Sequence, residues 1–449
     1  MKRIQIYDTT LRDGTQGEGV SFSLHDKLAI TERLDSLGIG YVEGGYPASN
    51  PKDAAFFEEA AKLKLSTVRL AAFGSTARPG TPASRDAGLR ALLKAGTPVV
   101  TIVAKSWDLH VKEVLRVSLS ANLELIEKTT AYLKKHVDEV IVDAEHFFDG
   151  HAANPAYALK ALEAAAAGGA DLVCLCDTNG GTLPDTIAEA MEAAGSVPVP
   201  LGIHCHNDSG LAVANTLRAV ECGAIQVQGT MNGFGERCGN TNLCTVIPNL
   251  QLKLGYRCTT DRKLKTLAAT SRYLYELANI EPDRHRPYVG RSAFAHKGGL
   301  HVAAVRKNPV TYEHIDPDVV GNERRVLVSD LAGRSSVAHK AEQFGIDMTD
   351  RADELATVLS EIKQLESSGF QFEGAEASLE LLMRKDLKKK TRFFRLVEFR
   401  VIDEKPSEDE HSRSEASVMI EGPDGKPEHT VASGNGPVNA LDSALRKAL

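Results

Sequence analysis

The chain has 449 residues, 42% of them hydrophobic, and it carries a formal net charge of -7 at pH 7. This length is too great for one ordinary domain and fits a barrel of about 250 residues with smaller domains attached. The acidic balance argues against nucleic acid or an anionic membrane as the main partner, because both select basic surfaces.

The first half of the chain alternates β-rich runs with helical stretches. Eight strands are predicted, at residues 4–7, 40–43, 67–73, 99–104, 139–143, 172–176, 201–204 and 224–228. Amphipathic or alanine-rich helices are predicted between them, at residues 24–37, 54–65, 84–94, 122–136, 155–167, 184–194 and 211–222. This alternation favours an α/β fold, a closed (β/α)8 TIM barrel; a doubly wound open sheet is the alternative.

From about residue 255 the alternation stops. Helices are predicted at 263–278, 336–344 and 351–367, with polar loops up to residue 317. Strands at 393–402 and 416–420 and a helix at 437–449 predict a small ββα unit. We therefore expect a catalytic barrel over residues 1–255, helical linker subdomains over 256–390, and part of a C-terminal regulatory α+β domain over 391–449.

The seven cysteines lie mostly inside apolar runs, such as residues 173–176. This distribution predicts reduced, buried thiols in a cytoplasmic protein, and not a disulfide framework. The first residues form a strand-like segment, so no signal peptide is expected. Its apolar runs are shorter than the roughly 18 residues that a membrane-spanning helix needs.

Polar and charged residues follow most of the predicted barrel strands. Active sites of such barrels lie at the carboxyl ends of the strands, so these residues should converge on one mouth. They occupy position 43 and the runs 8–14, 143–145, 177–180, 204–208 and 232–240.

His204 and His206 are the strongest metal-ligand candidates. Residues two apart on an extended strand face the same way, so both imidazoles can reach one ion. Asp13, in the loop after the first strand, is the best third ligand, and Asn240 offers a carbonyl oxygen. This nitrogen and oxygen set suits a divalent ion such as Mg, Mn or Zn. The alternative is a pair of histidines satisfied by local hydrogen bonds; Cys205 should face the opposite side and pack.

Arg12 and Thr178 are candidates for contact with a substrate. The arginine could stabilise negative charge that develops on a substrate oxygen. Its alternative role is a salt bridge to a carboxylate such as Glu43. The threonine could offer its hydroxyl to a substrate carboxylate, or it could simply be a residue of the turn that ends the strand.

Three motifs resemble the signatures of the DRE-type TIM metallolyases. They lie at residues 10–14 (TLRDG), 204–208 (HCHND) and 235–240 (GERCGN), in the order that this superfamily uses. The superfamily contains 2-isopropylmalate, homocitrate and citramalate synthases and HMG-CoA lyase, and the resemblance covers essentially the whole chain. The segments 19–24, 43–47 and 72–76 are most similar to the citramalate synthase branch.

The resemblance implies roles for individual residues. Asp13, His204 and His206 would bind the metal, with Asn240 in or beside the coordination shell. Arg12 would polarise the keto group, and Glu43, Glu145 and Thr178 would lie at the substrate. The segment 295–301 (AHKGGLH) matches the one that delivers a catalytic histidine from the partner subunit of a homodimer.

His301 is the matching histidine in that segment, with Tyr312 as a helper, although His296 remains an alternative base. The sequence departs from the family after this point. Many relatives carry an acidic residue where this chain has Ala303 or Ala304.

The resemblance implies a Claisen-type condensation of acetyl-CoA with a 2-oxo acid, followed by thioester hydrolysis. With pyruvate the product is citramalate, which leads toward isoleucine. The alternatives are 2-oxoisovalerate or 2-oxoglutarate as the oxo acid, a retro-aldol lyase, and a catalytically dead regulatory subunit. The family's regulatory domain has two ββα units and this chain shows one, so we expect little or no inhibition by isoleucine.

Overall fold

The structure is a computed structural model that describes residues 2–329, 332–347, 351–386, 393–405, 407–408 and 411–449. The chain divides into two compact units. The first contains Met1–His296 and Asn308–Arg325, and the second contains Lys297–Lys307 and Val326–Leu449.

Eight parallel strands of the first unit close into a barrel in which each strand pairs with its neighbours in sequence, and β1 also pairs with β8. The strands are β1 Gln5–Asp8, β2 Tyr41–Gly45, β3 Arg69–Ser75, β4 Val99–Lys105, β5 Glu139–Glu145, β6 Leu172–Asp177, β7 Leu201–Cys205 and β8 Gln226–Gly229. The predicted TIM barrel is confirmed, and the open sheet is excluded.

Helices surround the barrel. They are α1 Leu24–Leu37, α2 Pro51–Ala60, α3 Ala87–Lys94, α4 Asp108–His110, α5 Leu119–Lys134, α6 Phe147–Ala153, α7 Pro155–Ala167, α8 Pro184–Ala194, α9 Ala212–Glu221 and α10 Leu243–Pro248. Local sequence sets their ends. At the start of α1, Ser23 and Asp26 each accept a hydrogen bond from the other's backbone N–H, and the helix ends at Gly38 with φ 90°. Glycine adopts this left-handed conformation without strain.

Side chains fill the centre of the barrel, so chemistry is confined to its mouth. The central cluster consists of Tyr7, Tyr41, Ala71, Val99, Ile141, Leu172 and Cys174. A larger apolar cluster joins the outer faces of the strands to the helices. Interiors of this kind are packed cores and not pores.

The first unit continues past residue 255. The predicted helix 263–278 is two helices, α11 Asp261–Leu264 and α12 Leu267–Leu277, separated by a turn at Lys265 and Thr266. Helix α12 contacts α1 and shares its apolar core, which keeps this segment with the barrel. The boundary at residue 255 remains a prediction, and the one at 390 lies outside the described residues.

The second unit contains helices and a small antiparallel sheet. Its helices are α13 Gly299–Lys307, α14 Arg334–Gln343, α15 Ala352–Ser367, α16 Glu376–Asp386 and α17 Pro437–Ala448. Two further strands have two residues each. Strand β9, Ala295–His296, ends the first segment of the first unit, and strand β10, Arg325–Val326, spans the end of its second segment. Helices α13 and α16 were not predicted from the sequence, and α13 lies where polar loops were expected up to residue 317.

The C-terminal sheet has three strands, β11 Arg395–Glu404, β12 Arg413–Glu421 and β13 Pro427–Gly434, in sequence order. Helix α17 packs on one face and buries Ala440 and Ala444 against Val418 and Ile420. The predicted α+β unit is confirmed. The prediction had two strands before the helix, whereas the structure has three, and the strand that was not predicted is β13. That strand is mostly exposed and carries proline, charged and small residues, so it has little apolar alternation.

Among the described residues, no helix is both long and apolar enough to cross a bilayer.

Candidate active site

Three buried side chains converge at the mouth of the barrel. His204 lies on β7 and His206 follows it, while Asp13 lies in the loop after β1. One potential ligand atom from each lies within 4.8 Å of the other two. His204 Nε2 is 3.3 Å from Asp13 Oδ2. Cys205, between the histidines, is fully buried in the apolar core, as the alternation of a strand requires.

The second ring nitrogen of His204 is held from β8. Its Nδ1 lies 3.1 Å from Gln228 Oε1, and Gln228 Nε2 donates to Asp143 Oδ1 at 2.9 Å. Because an amide oxygen only accepts, this contact places the proton on Nδ1 and turns Nε2 toward Asp13. Asp143 was expected from the sequence only as one of the polar residues at the mouth, with no specific role. Gln228 was not expected there, because an amide inside a strand resembles any polar barrel residue.

Two polar atoms beside the cluster are buried without a hydrogen-bond partner in the described part of the chain, His206 Nδ1 and Asn240 Oδ1. Asn240 lies next to His206 through a backbone bridge, and its Nδ2 donates to Phe234 O at 3.0 Å, which leaves the amide oxygen open. Unpaired buried polar atoms cost about 1–3 kcal/mol each. A bound cation would satisfy them, so the residues present fit a divalent ion with nitrogen and oxygen ligands.

Electrostatics at this cluster favour a charged carboxylate. Burial raises the pKa of Asp13, but the charge of Arg12 and the hydrogen bond with His204 outweigh burial and hold this pKa below its ordinary value. Burial, assisted by the charge of His204, lowers the pKa of His206 to about 3, so that imidazole is neutral. A carboxylate and a neutral imidazole are the forms that bind metals.

Arg12 is fixed from three sides. Its Nε donates to Glu43 Oε1 at 2.6 Å, its Nη1 lies 3.4 Å from Asp13 Oδ1, and its guanidinium lies over the Phe73 ring at 3.8 Å. Glu43 is fully buried and also accepts from the Tyr7 hydroxyl at 2.7 Å. The Glu43 carboxylate is turned to Arg12 and Tyr7 and is not among the residues that line the cavity, so it positions Arg12. Its expected contact with a substrate stays a prediction.

A cavity of about 260 Å³ opens above the cluster. It brings together six of the residues predicted from sequence: Arg12, Asp13, Glu145, Thr178, His204 and His206. Its other lining residues are Gln16, Phe73, Val103, Asp143, Cys176, Glu236 and Arg237. The small volume and the mixture of charged and apolar walls suit a short carboxylic acid.

Glu145 and Thr178 form one wall of this cavity. Glu145 pairs with Lys105, and the Thr178 hydroxyl accepts a hydrogen bond from the His146 backbone N–H at 2.9 Å. Arg237 donates to the Thr178 carbonyl at 2.8 Å and to Asp208, which ties the loop after β8 to the end of β6. The Thr178 hydroxyl keeps its own proton for donation to a ligand.

The candidate base residues lie outside the barrel strands. His301 is exposed on α13 in the second unit, and Tyr312 is 49% exposed in the first unit. His296 is buried, and its Nε2 lies 3.0 Å from Glu313 Oε1, while Arg324 also donates to Glu313. A carboxylate partner orients structural and catalytic histidines alike, so the choice between His296 and His301 as the base stays a prediction.

Comparison with known proteins places the barrel in a class. The family described as HMGL-like matches residues 3–274. The homocitrate synthase post-HMGL domain matches residues 288–369, and the LeuA allosteric (dimerisation) domain matches residues 373–449. The HMG-CoA lyase of Bacillus subtilis superposes with a TM-score of 0.53 at 20% identity, over 64% of this chain and 97% of that one, which shows the shared fold.

Full-length relatives narrow the assignment. The (R)-citramalate synthase of Geobacter sulfurreducens is 55% identical over 100% of this chain and 85% of its own length. The (R)-citramalate synthase of Aquifex aeolicus is 53% identical over the same shares. The 2-isopropylmalate synthase of Sulfolobus acidocaldarius is 34% identical over 84% of this chain and 94% of its own. The chain belongs to the (R)-citramalate synthase family.

Proposed function

We propose that this protein is an acyltransferase that condenses acetyl-CoA with pyruvate and hydrolyses the thioester, giving (R)-citramalate and free CoA. The main support for the proposal is that Asp13, His204 and His206 lie together with Arg12 in the lining of one small cavity. Its relatives named (R)-citramalate synthase support the choice of reaction. The product would enter isoleucine biosynthesis, and we expect the enzyme in the cytoplasm.

The cation site defines one end of the cavity. Asp13, His204 and His206 would hold the ion, with Asn240 in or beside the shell. When bound, a divalent ion supplies a Lewis acid for a carbonyl oxygen. Magnesium, manganese and zinc all fit these ligand types.

Arg12 acts at the oxygen where negative charge grows. Its guanidinium is held by Glu43 and Phe73 before substrate arrives, so little reorganisation is needed when the keto oxygen becomes an alkoxide. The Thr178 hydroxyl, which also lines the cavity, would bind the carboxylate of the oxo acid.

Proton transfer belongs to Glu145 and His301. A base must take a proton from the methyl group of acetyl-CoA so that the resulting enolate attacks the keto carbon. Glu145 lines the cavity and has Lys105 as its counter-ion. We assign the base to His301, supplied from the partner subunit, with Glu145 supporting it and Tyr312 assisting.

A homodimer with shared active sites follows from this assignment. The match to a LeuA dimerisation domain supports it. So do the exposed apolar side chains of the edge strand β11, where Leu396, Val397 and Phe399 are each more than two-fifths exposed.

The proposal is tested by CoA release, measured with a thiol reagent, from acetyl-CoA, Mg²⁺ or Mn²⁺ and a panel of oxo acids. Pyruvate should give a kcat/KM at least about tenfold above that of 2-oxoisovalerate, because one or two additional methyl groups must fit a small pocket. A preference for 2-oxoisovalerate or 2-oxoglutarate would reassign the substrate. Release of acetyl-CoA from a hydroxyacyl-CoA without net synthesis would identify a lyase, and no turnover at all would indicate a regulatory subunit.

A further inference from the structure

A second group of possible metal ligands lies inside the barrel on β5 and β6. Asp143, Cys174 and Cys176 each place one donor atom within 4.8 Å of the other two. Cys174 and Cys176 are two apart on one strand and share a face, and Asp143 pairs in register with Cys174. All three side chains are buried.

The chemistry of this group differs from that of the first site. It contains two free thiols and one carboxylate, whereas Asp13, His204, His206 and Asn240 offer only nitrogen and oxygen. Thiolates select zinc and other soft cations, while magnesium and manganese prefer oxygen. The carboxylate accepts one amide hydrogen bond, from Gln228, and Cys176 Sγ contacts the Cys174 carbonyl at 3.7 Å.

The group is open to ions from one side. Asp143 and Cys176 line the same 260 Å³ cavity as the first cluster, and Cys174 lies beneath them among the central side chains of the barrel. An ion that reaches the active-site mouth therefore needs no separate path.

We propose that Asp143, Cys174 and Cys176 form a second cation site, which takes a thiophilic divalent ion such as Zn²⁺ or Cd²⁺ and whose filling inhibits the enzyme. Binding forms two metal–sulfur bonds and one metal–oxygen bond. Each thiol loses its proton to solvent through the cavity as its bond forms. No electron is transferred, and the sulfur atoms stay reduced.

Inhibition follows from what Asp143 already does. Its Oδ1 accepts from Gln228, whose oxygen in turn faces Nδ1 of His204. An ion that takes this carboxylate as a ligand competes with the Gln228 amide and loosens the support of His204. The second ion would also add positive charge to the wall of the substrate cavity. Outer-shell partners of this kind typically change metal affinity or activity by about 10–100-fold.

The test uses the full chain saturated with Mg²⁺ and titrated with Cd²⁺. Thiolate-to-cadmium charge transfer gives an ultraviolet absorption band, whereas Cd²⁺ exchanged into the His and Asp cluster gives none. The wild-type protein should show this band with one equivalent of Cd²⁺ and lose activity in parallel. Cys174→Ala should raise the apparent dissociation constant at least about tenfold, and Cys244→Ala, at another fully buried free thiol, should retain the band.

An unchanged band in Cys174→Ala, or no band in the wild type, overturns the proposal and leaves the two thiols as packing residues. Should Cys174→Ala not fold, X-ray absorption of the Cd²⁺-loaded wild type decides instead. Two sulfur neighbours per ion support the site, and none contradicts it. The ultraviolet band and the X-ray absorption are measured without turnover, so their outcome does not depend on which oxo acid the enzyme uses.

Discussion

His204 is held at both ring nitrogens, by Gln228 at Nδ1 and by Asp13 across from Nε2. Removal of either Asp13 or His204 should therefore abolish metal binding and not merely weaken it. We expect His204→Ala and Asp13→Ala to contain little metal by elemental analysis, whereas His136→Ala, at an exposed histidine, should match the wild type.

Chelation should abolish wild-type activity, and a divalent ion should restore it. Full activity in thoroughly demetallated enzyme would contradict the assignment of this site.

Asp8 is a buried carboxyl that forms no ion pair with any residue the structure describes. Burial raises its pKa from 3.8 to about 7, although hydrogen bonds from Thr10 oppose the shift. Because the folded pKa exceeds the unfolded one, its contribution to stability is complete below pH 3.8 and is lost as the pH rises through about 7. Asp8→Asn should remove this loss, so its stability relative to the wild type should improve between pH 5 and pH 8 in urea unfolding. A pH-independent difference would show that Asp8 ionises normally.

Among the contacts between secondary-structure elements, a buried ion pair between Lys27 and Asp53 links helices α1 and α2 to the barrel. Lys27 on α1 contacts Asp53 Oδ1 on α2 at 2.5 Å and donates to the Gly44 carbonyl on β2 at 3.0 Å. Loss of one partner of such a pair costs about 3–5 kcal/mol, because the other charge is left buried.

Lys27→Met should therefore lower the free energy of unfolding by about that amount, and the double variant Lys27→Met/Asp53→Leu should recover part of it. Lys62→Met removes an exposed ion pair with Glu59 and should change stability by less than about 0.5 kcal/mol. Chemical denaturation of the three variants measures the difference. Equal changes in the free energy of unfolding for Lys27→Met and Lys62→Met would mean that the buried pair stabilises the fold no more than the exposed pair does.

For the whole molecule, the assignment of His301 predicts complementation between subunits. Arg12→Ala and His301→Ala proteins should each be inactive, because one lacks oxyanion stabilisation and the other lacks the base. A mixed dimer would contain one intact site if the histidine comes from the partner, so refolding the two together should restore part of the activity. Mixing either variant with itself is the control. No recovery in heterodimers confirmed by differential tags would rule out shared sites.

The sequence was most informative where a short pattern decides the geometry. Eight alternating strands and the spacing of His204 and His206 are local signals, and both led to one barrel mouth. Contacts between distant segments left no such signal. Glu313 reaches His296 across 17 positions, and Gln228 reaches Asp143 across 85, so neither pairing could be found by periodicity. The strand β13 was missed because its exposed face carries no apolar repeat.

Gln228 connects a carboxylate to an imidazole through a single amide, which donates to the Asp143 carboxylate and accepts from the His204 imidazole. Glutamate would face Asp143 with a like charge, methionine would offer no donor, and asparagine would be one methylene too short. A saturation library at this codon, selected for growth that depends on the enzyme, should thus return glutamine almost alone. Neighbouring core codons such as Val227 should accept several aliphatic residues. The substitutions that a buried position of this barrel accepts would then depend more on the hydrogen bonds its side chain must donate and accept than on the volume of that side chain.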